Sequence, residues 1–218
     1  MKKFFEYLLI LMSISFLLIG GYLVWGSLEE EVPIPQKDFK VAPTIDTDRP
    51  TTAMIDGKLI TPENMGKNRL FIPEMKTYSR VVTSKGTKKS RYKGFSTLKV
   101  PNDPRKTARY GYGAPMVGGP HGTTLLASHV SYHGKWGTLR KLYKLEAGAY
   151  IFTSDGKGNV QAWVMTEMRT THHKKFPQEL WSNDGVRQLA IVTCGGKRLD
   201  SGSYRYNVIA IASPIIMP

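Results

Sequence analysis

From about residue 69 onward the apolar positions fall into short runs divided by glycine, proline and aspartate turns. Arg69–Pro73 and Tyr78–Thr83 read as a first pair of strands, and Leu98–Pro101 as a short extended piece. A glycine-rich loop runs from Gly111 through Gly122. Thr123–Ser128 carries no charge and reads as a buried strand. Ala149–Thr153 and Asn159–Met168 flank Asp155-Gly156-Lys157-Gly158, which predicts a hairpin. Val186–Thr193 and Tyr204–Ala212 form the last two strands. Thr138–Leu145 instead has apolar residues at helical spacing, with Gly148 past its end as a stop. Residues 169–185 read as a long loop with one helical turn near Gln178–Trp181. Short strands at this spacing, with one helix between them, predict a mainly β fold closed or nearly closed into a barrel.

The beginning of the chain follows different rules. Leu8–Val24 is almost wholly apolar and, with Tyr22 and Trp25 at its end, is long enough to cross a bilayer as a helix. Lys2 and Lys3 precede it and Glu29, Glu30 and Glu31 follow, so the positive-inside bias places the N-terminus in the cytoplasm and the rest outside. A cleaved signal peptide is the competing reading, but no small-x-small cleavage site follows the apolar run. The expected organisation is a cytoplasmic tip and single-pass membrane anchor over residues 1–27 and an extracellular stalk over 28–56. A catalytic domain follows over 57–218. The stalk assignment rests on Pro33, Pro35, Pro43 and Pro50 among mixed charges without periodicity.

The formal charge of +14 changes the picture of partners. Basic residues crowd Lys58–Arg109. On an extracellular domain this favours anionic wall polymers or lipid headgroups, with a merely solvated basic surface as the plain alternative. No basic motif interleaved with aromatics is present, so no nucleic-acid partner is predicted.

The chemistry is carried by the single cysteine. Cys194 closes the apolar run that begins at Leu189, and Gly195 and Gly196 follow it. It cannot form an internal disulfide. His129 ends the run Thr123–Ser128, and Arg205 opens the last strand. A thiol and an imidazole can share a proton near neutral pH, and the imidazole can then serve a leaving and an incoming amine. A permanently charged arginine meets the oxyanion of the tetrahedral intermediate. The glycines after Cys194 let a substrate backbone come close. His129 and His133 have zinc-like spacing but lack an intervening Glu and a third ligand, and Asp155, Glu167, Glu179 and Asp184 do not cluster. No metal and no cofactor is predicted.

These residues resemble the sortases, membrane-anchored cysteine transpeptidases of Gram-positive surfaces. The matching segments are Thr124-Leu125-Leu126-Ala127-Ser128-His129, Leu189-Ala190-Ile191-Val192-Thr193-Cys194 and Arg205, in the family's order. Val192–Gly196 followed by Tyr204–Val208 looks most like the class F branch of the actinobacterial type. The resemblance implies a closed eight-stranded β-barrel with short helices, preceded by the transmembrane helix. It also implies a thioester on Cys194 formed at the Thr–Gly bond of a Leu-Pro-x-Thr-Gly-like sorting signal. An amine from a peptidoglycan precursor or a pilin would resolve that thioester. His129 is then general acid and base and Arg205 holds the oxyanion. Thr193, Gly195 and Trp181 become substrate-binding candidates, Trp181 through the loop that walls the groove. Ser128 departs from the glycine usual before the histidine, and its hydroxyl is expected to narrow the groove or to reach the imidazole. Three alternatives stand beside this reading. An L,D-transpeptidase is disfavoured by the distances between His129, Cys194 and Arg205; the others are a thiol hydrolase of the same signals and a non-enzymatic basic wall-binding module.

Overall fold

The computed structural model describes residues 31–85, 87–89 and 96–216. The expected membrane helix lies outside these residues, and among the described residues no helix is long and apolar enough to cross a membrane.

Eight strands make the framework: β1 Arg69–Ile72, β2 Thr77–Ser84, β3 Lys106–Tyr110, β4 Thr123–Ala127, β5 Tyr150–Ser154, β6 Val160–His172, β7 Gln188–Arg198 and β8 Tyr204–Ile215. They pair in the order β7-β4-β3-β2-β1-β5-β6-β8, and β8 returns to β7, so the sheet closes. Closure removes the unpaired edges that an open sheet of this size would expose. Two contacts are parallel, β2 with β3 and β4 with β7. The barrel interior is filled by Leu70, Ile72, Leu126, Ile151, Trp163, Met165, Leu189, Ile191, Val208 and Ala210. Residues alternate between this core and the outside, as the pleat requires.

The β5–β6 hairpin turns as its sequence predicts: Asp155 Oδ1 accepts the backbone N–H groups of Lys157, Gly158 and Asn159 at 2.8, 2.8 and 2.9 Å. The α-helix expected over Thr138–Leu145 is instead a single 3₁₀ turn, Leu142–Lys144. Its apolar residues Leu139, Leu142 and Leu145 are all buried and recur every three residues, the 3₁₀ period. The backbone follows, with Leu142 N donating to Leu139 O and Leu145 N to Leu142 O. β6 also runs four residues beyond the expected Met168, and β3 was not anticipated.

Residues 32–60, read from the sequence mainly as stalk, lie along the barrel. Phe39–Lys40 pairs with β6 opposite Met168 and Glu167. Arg49 reaches Glu74 Oε1 at 2.7 Å and the carbonyl of Ala147 at 3.0 Å. Ala53–Ile55 and Lys58–Ile60 form a small hairpin, and Ile60 packs with Met65, Phe71 and Phe152.

Candidate active site

β4 and β7 run side by side and parallel, with Thr123 opposite Gln188 and Ala127 opposite Val192. Parallel pairing delivers both strand ends to one end of the barrel, so Ser128-His129 and Thr193-Cys194 emerge together. Two hydrogen bonds fasten them: Ser128 N donates to Val192 O at 3.2 Å, and Thr193 Oγ1 donates to Ser128 O at 3.1 Å. On its other side β7 pairs antiparallel with β8, placing Cys194 opposite Asn207 and Gly195 opposite Tyr206. Arg205, the second residue of β8, lies two positions from Asn207, the partner of Cys194, and β7 itself runs four residues past Cys194, beyond the strand end expected at Thr193.

Alternation then decides the face. Leu125 and Ala127 of β4, Ala190 and Val192 of β7, and Ile209 and Ile211 of β8 share one apolar cluster on the outer side of the barrel. Stepping two residues at a time from these positions reaches His129, Cys194 and Arg205. Three neighbouring strands thus bring His129, Cys194 and Arg205 to one end of the barrel, with the Cys194 strand in the middle. The apolar strip beneath them is flanked by Phe176, Leu180 and Trp181 from the β6–β7 connection. Trp181 meets Tyr110 edge-on at 4.8 Å and Phe176 at 5.5 Å, so it forms part of this wall.

Each group has its own support. The His129 ring stacks on Tyr132 with centroids 5.0 Å apart. The chain after it folds back so tightly that a Cβ at Gly137 would lie 1.7 Å from His129 O, which only glycine allows. Arg205 is exposed, but its carbonyl is held by His173, whose backbone N and ring Nδ1 both approach it at 3.0 Å. Those bonds require the Nδ1–H form of that ring. His172 beside it titrates below its ordinary value, first through desolvation and then through its neighbours His173, Lys174, Lys175 and Arg205. Cys194 is half-buried against Val32, Val130 and Tyr204. That burial pushes its thiol up to about 11, because a thiolate there loses its hydration.

The remaining sequence candidates have defined places. Thr193 is buried and its hydroxyl is committed to Ser128. A Cβ at Gly195 would stand 2.9 Å from Ile34 Cγ2 and 3.0 Å from Val208 Cγ2, so this backbone is pressed between the N-terminal segment and β8. Ser128 differs from expectation: its hydroxyl donates to Lys106 O at 3.0 Å and Pro104 O at 3.4 Å, so it ties β4 to the start of β3. Sequence reasoning passed over Tyr204, whose hydroxyl shares a 2.8 Å hydrogen bond with Ser131 Oγ. That bond joins the segment after His129 to the residue before Arg205. The partner of Tyr204 lies 73 positions away and leaves no local signal. His173, inside the segment 169–185 read as a long loop, is the other residue that the sequence did not single out.

A sortase-domain family model matches residues 70–215. No curated protein matches significantly. Among solved structures, sortase C1 from Streptococcus suis superposes with a TM-score of 0.52 at 12% identity, covering 70% of this chain and 74% of its own. The pilus-related sortase C of Group B Streptococcus gives 0.51 at 13%, covering 70% and 69%. A lid mutant of sortase A from Corynebacterium diphtheriae gives 0.50 at 12%, covering 69% and 70%. At such identities the superpositions speak for the barrel alone. The family model spans both strand ends and the start of β8, and with it the chain belongs to the sortase family of cysteine transpeptidases.

Proposed function

We propose that this chain is a membrane-anchored sortase that cleaves a Leu-Pro-x-Thr-Gly-like sorting signal and transfers the acyl group to an amine of a wall precursor or a pilin. The observation that supports the reading is the strand order: β7, which carries Cys194, lies between parallel β4, which leads to His129, and antiparallel β8, which carries Arg205. The run Val192–Gly196 with Tyr204–Val208 supports the class F branch. Leu8–Val24 supports the anchor, with the barrel outside the cell.

In the first half-reaction the Cys194 thiol gives its proton to His129 as its sulfur attacks the threonine carbonyl carbon. Arg205 faces the oxyanion that forms. The C–N bond to glycine then breaks, and His129 delivers a proton to the leaving nitrogen. In the second half an amine attacks the thioester and gives its proton to His129, which returns it to the Cys194 sulfur as the C–S bond breaks. Arginine serves here without a change of protonation state. Thr193 holds the two strand ends in register, which fixes the thiol relative to the imidazole.

The test uses the full-length protein with a fluorogenic Leu-Pro-x-Thr-Gly peptide, with and without a glycine-based amine, and mass spectrometry of protein and products. The expected result is a thioester on Cys194 and an amine-exchanged product, both absent from Cys194→Ala. Cleavage that water alone completes at every amine concentration would make the protein a hydrolase. No thioester with any related peptide would remove the reading.

A further inference from the structure

Beside Tyr132 lies a cavity of about 490 Å³, walled also by Asp103, Pro104, Arg105, Lys135 and Trp136. It is built into the site's own supports. Tyr132 is the ring on which His129 stacks, and Pro104 is the carbonyl that receives the Ser128 hydroxyl. The short hairpin Ser131–Tyr132 with Lys135–Trp136 forms one wall, and the lead into β3 forms the other. Thr138 N donates to Pro104 O at 2.9 Å and pins the two walls together.

We propose that this cavity binds the acceptor: a primary amine that carries an anionic group near its nitrogen. The inference rests on the transpeptidase reading and adds the chemistry of the second substrate. His129 must meet both the departing and the arriving nitrogen, so the acceptor comes in past His129, whose stacking partner Tyr132 lines this cavity. Its charge selects the class. Asp103 is its one carboxylate, and it is already shared by Arg105 Nε at 3.3 Å and Lys106 Nζ at 3.5 Å. Among the described residues neither the terminal guanidinium nitrogens of Arg105 nor the Lys135 ammonium has an ion-pair partner. A planar guanidinium beside an ammonium suits a carboxylate or a phosphate. Trp136, 47% exposed with Arg140 Cζ 5.3 Å from its ring centroid, offers an apolar face to the carbon chain between the two ends of such a ligand.

The experiment compares matched amines on the full-length protein: glycylglycine against its amide, and phosphoethanolamine against ethanolamine. Aminolysis of the preformed Cys194 thioester is followed by mass spectrometry. The anionic member of at least one pair is expected to react about fivefold faster at low salt, the size two partly exposed charge contacts support. The pair that shows it tells carboxylate from phosphate. Arg105→Ala with Lys135→Ala should erase the preference and leave the rate of thioester formation unchanged. Equal rates within both pairs, or a preference that survives the double substitution, overturns the assignment. A readout free of catalysis separates this from failure of the transpeptidase reading: the Trp136 indole N–H resonance, assigned with Trp136→Phe. It should shift with the anionic amines and not with the neutral ones. If no thioester forms but the shift appears, the transpeptidase reading falls and the cavity remains an anionic-amine site. If the resonance does not shift, the cavity assignment falls.

Discussion

Arg205 shows how little of a side chain's placement its own surface reveals. It is exposed, yet its position is set through the backbone, by β8 pairing on one side and by His173 on its carbonyl on the other. Replacing it with lysine keeps the charge and removes the planar fork. Arg205→Lys is expected to leave the melting temperature unchanged and to lower kcat/KM for the sorting peptide about 100-fold, within the range for loss of an oxyanion donor. Near-normal turnover would remove Arg205 from that role. Thr193 acts in the opposite way, buried and bonded to Ser128. Thr193→Val deletes one buried hydrogen bond, which costs about 1 kcal/mol, or roughly 2–4 °C in a domain of this size. The same change loosens the spacing of His129 and Cys194, so activity should fall further than stability alone explains. A calorimetric scan beside a thioester-formation rate checks both.

At the scale of elements, the N-terminal segment governs the thiol. Val32 is buried with Val130 and Tyr204 against Cys194, and Ile34 lies over Gly195. A thiol pushed up to about 11 exists as thiolate in roughly one molecule in ten thousand at pH 7. The neutral form is the favoured one in the folded state, so alkylation should climb about tenfold per pH unit from pH 7 to pH 10. Val32→Ala opens one wall, lets water reach the sulfur and lowers its pKa toward the ordinary value. The expected result is alkylation by iodoacetamide at least tenfold faster at pH 8, with the pH profile displaced downward. An unchanged profile would show that Val32 does not control the thiol. None of this contact was legible in the sequence, where Val32-Pro33-Ile34-Pro35 lacks any period and its packing is wholly tertiary. By contrast, β4, β7 and β8 announced themselves through uncharged or alternating runs, and their ends named His129, Cys194 and Arg205. β3, Lys-Thr-Ala-Arg-Tyr, has no apolar run to read, and its place between β2 and β4 comes from the barrel's closure. The helix expected after Thr138 failed because three leucines at a spacing of three satisfy a 3₁₀ turn as well as an α-helix over so short a stretch.

For the whole molecule, closure and charge do separate work. The closed barrel fixes β7 between β4 and β8, and with them the backbone positions of Cys194 and Arg205 and of the strand that leads to His129. Charge sets where such a barrel dwells. Residues 1–31 contribute two lysines and four glutamates to the total of +14, so the chain from Val32 onward carries +16. Near an anionic surface each lysine or arginine gains about 1 kcal/mol, within a Debye length of about 10 Å at 0.1 M salt. A barrel tethered beside a membrane or an anionic polymer is therefore drawn onto it, which raises its encounter rate with substrates held there. The compact unit Val32–Pro218 isolates this effect from any anchor. It is expected to sediment with vesicles containing anionic lipid at about 0.05 M salt, to be released at about 0.5 M, and to ignore neutral vesicles. Binding that persists at high salt, or that neutral vesicles match, would mean that apolar contacts hold the barrel at the surface and that its excess of lysine and arginine only keeps it in solution.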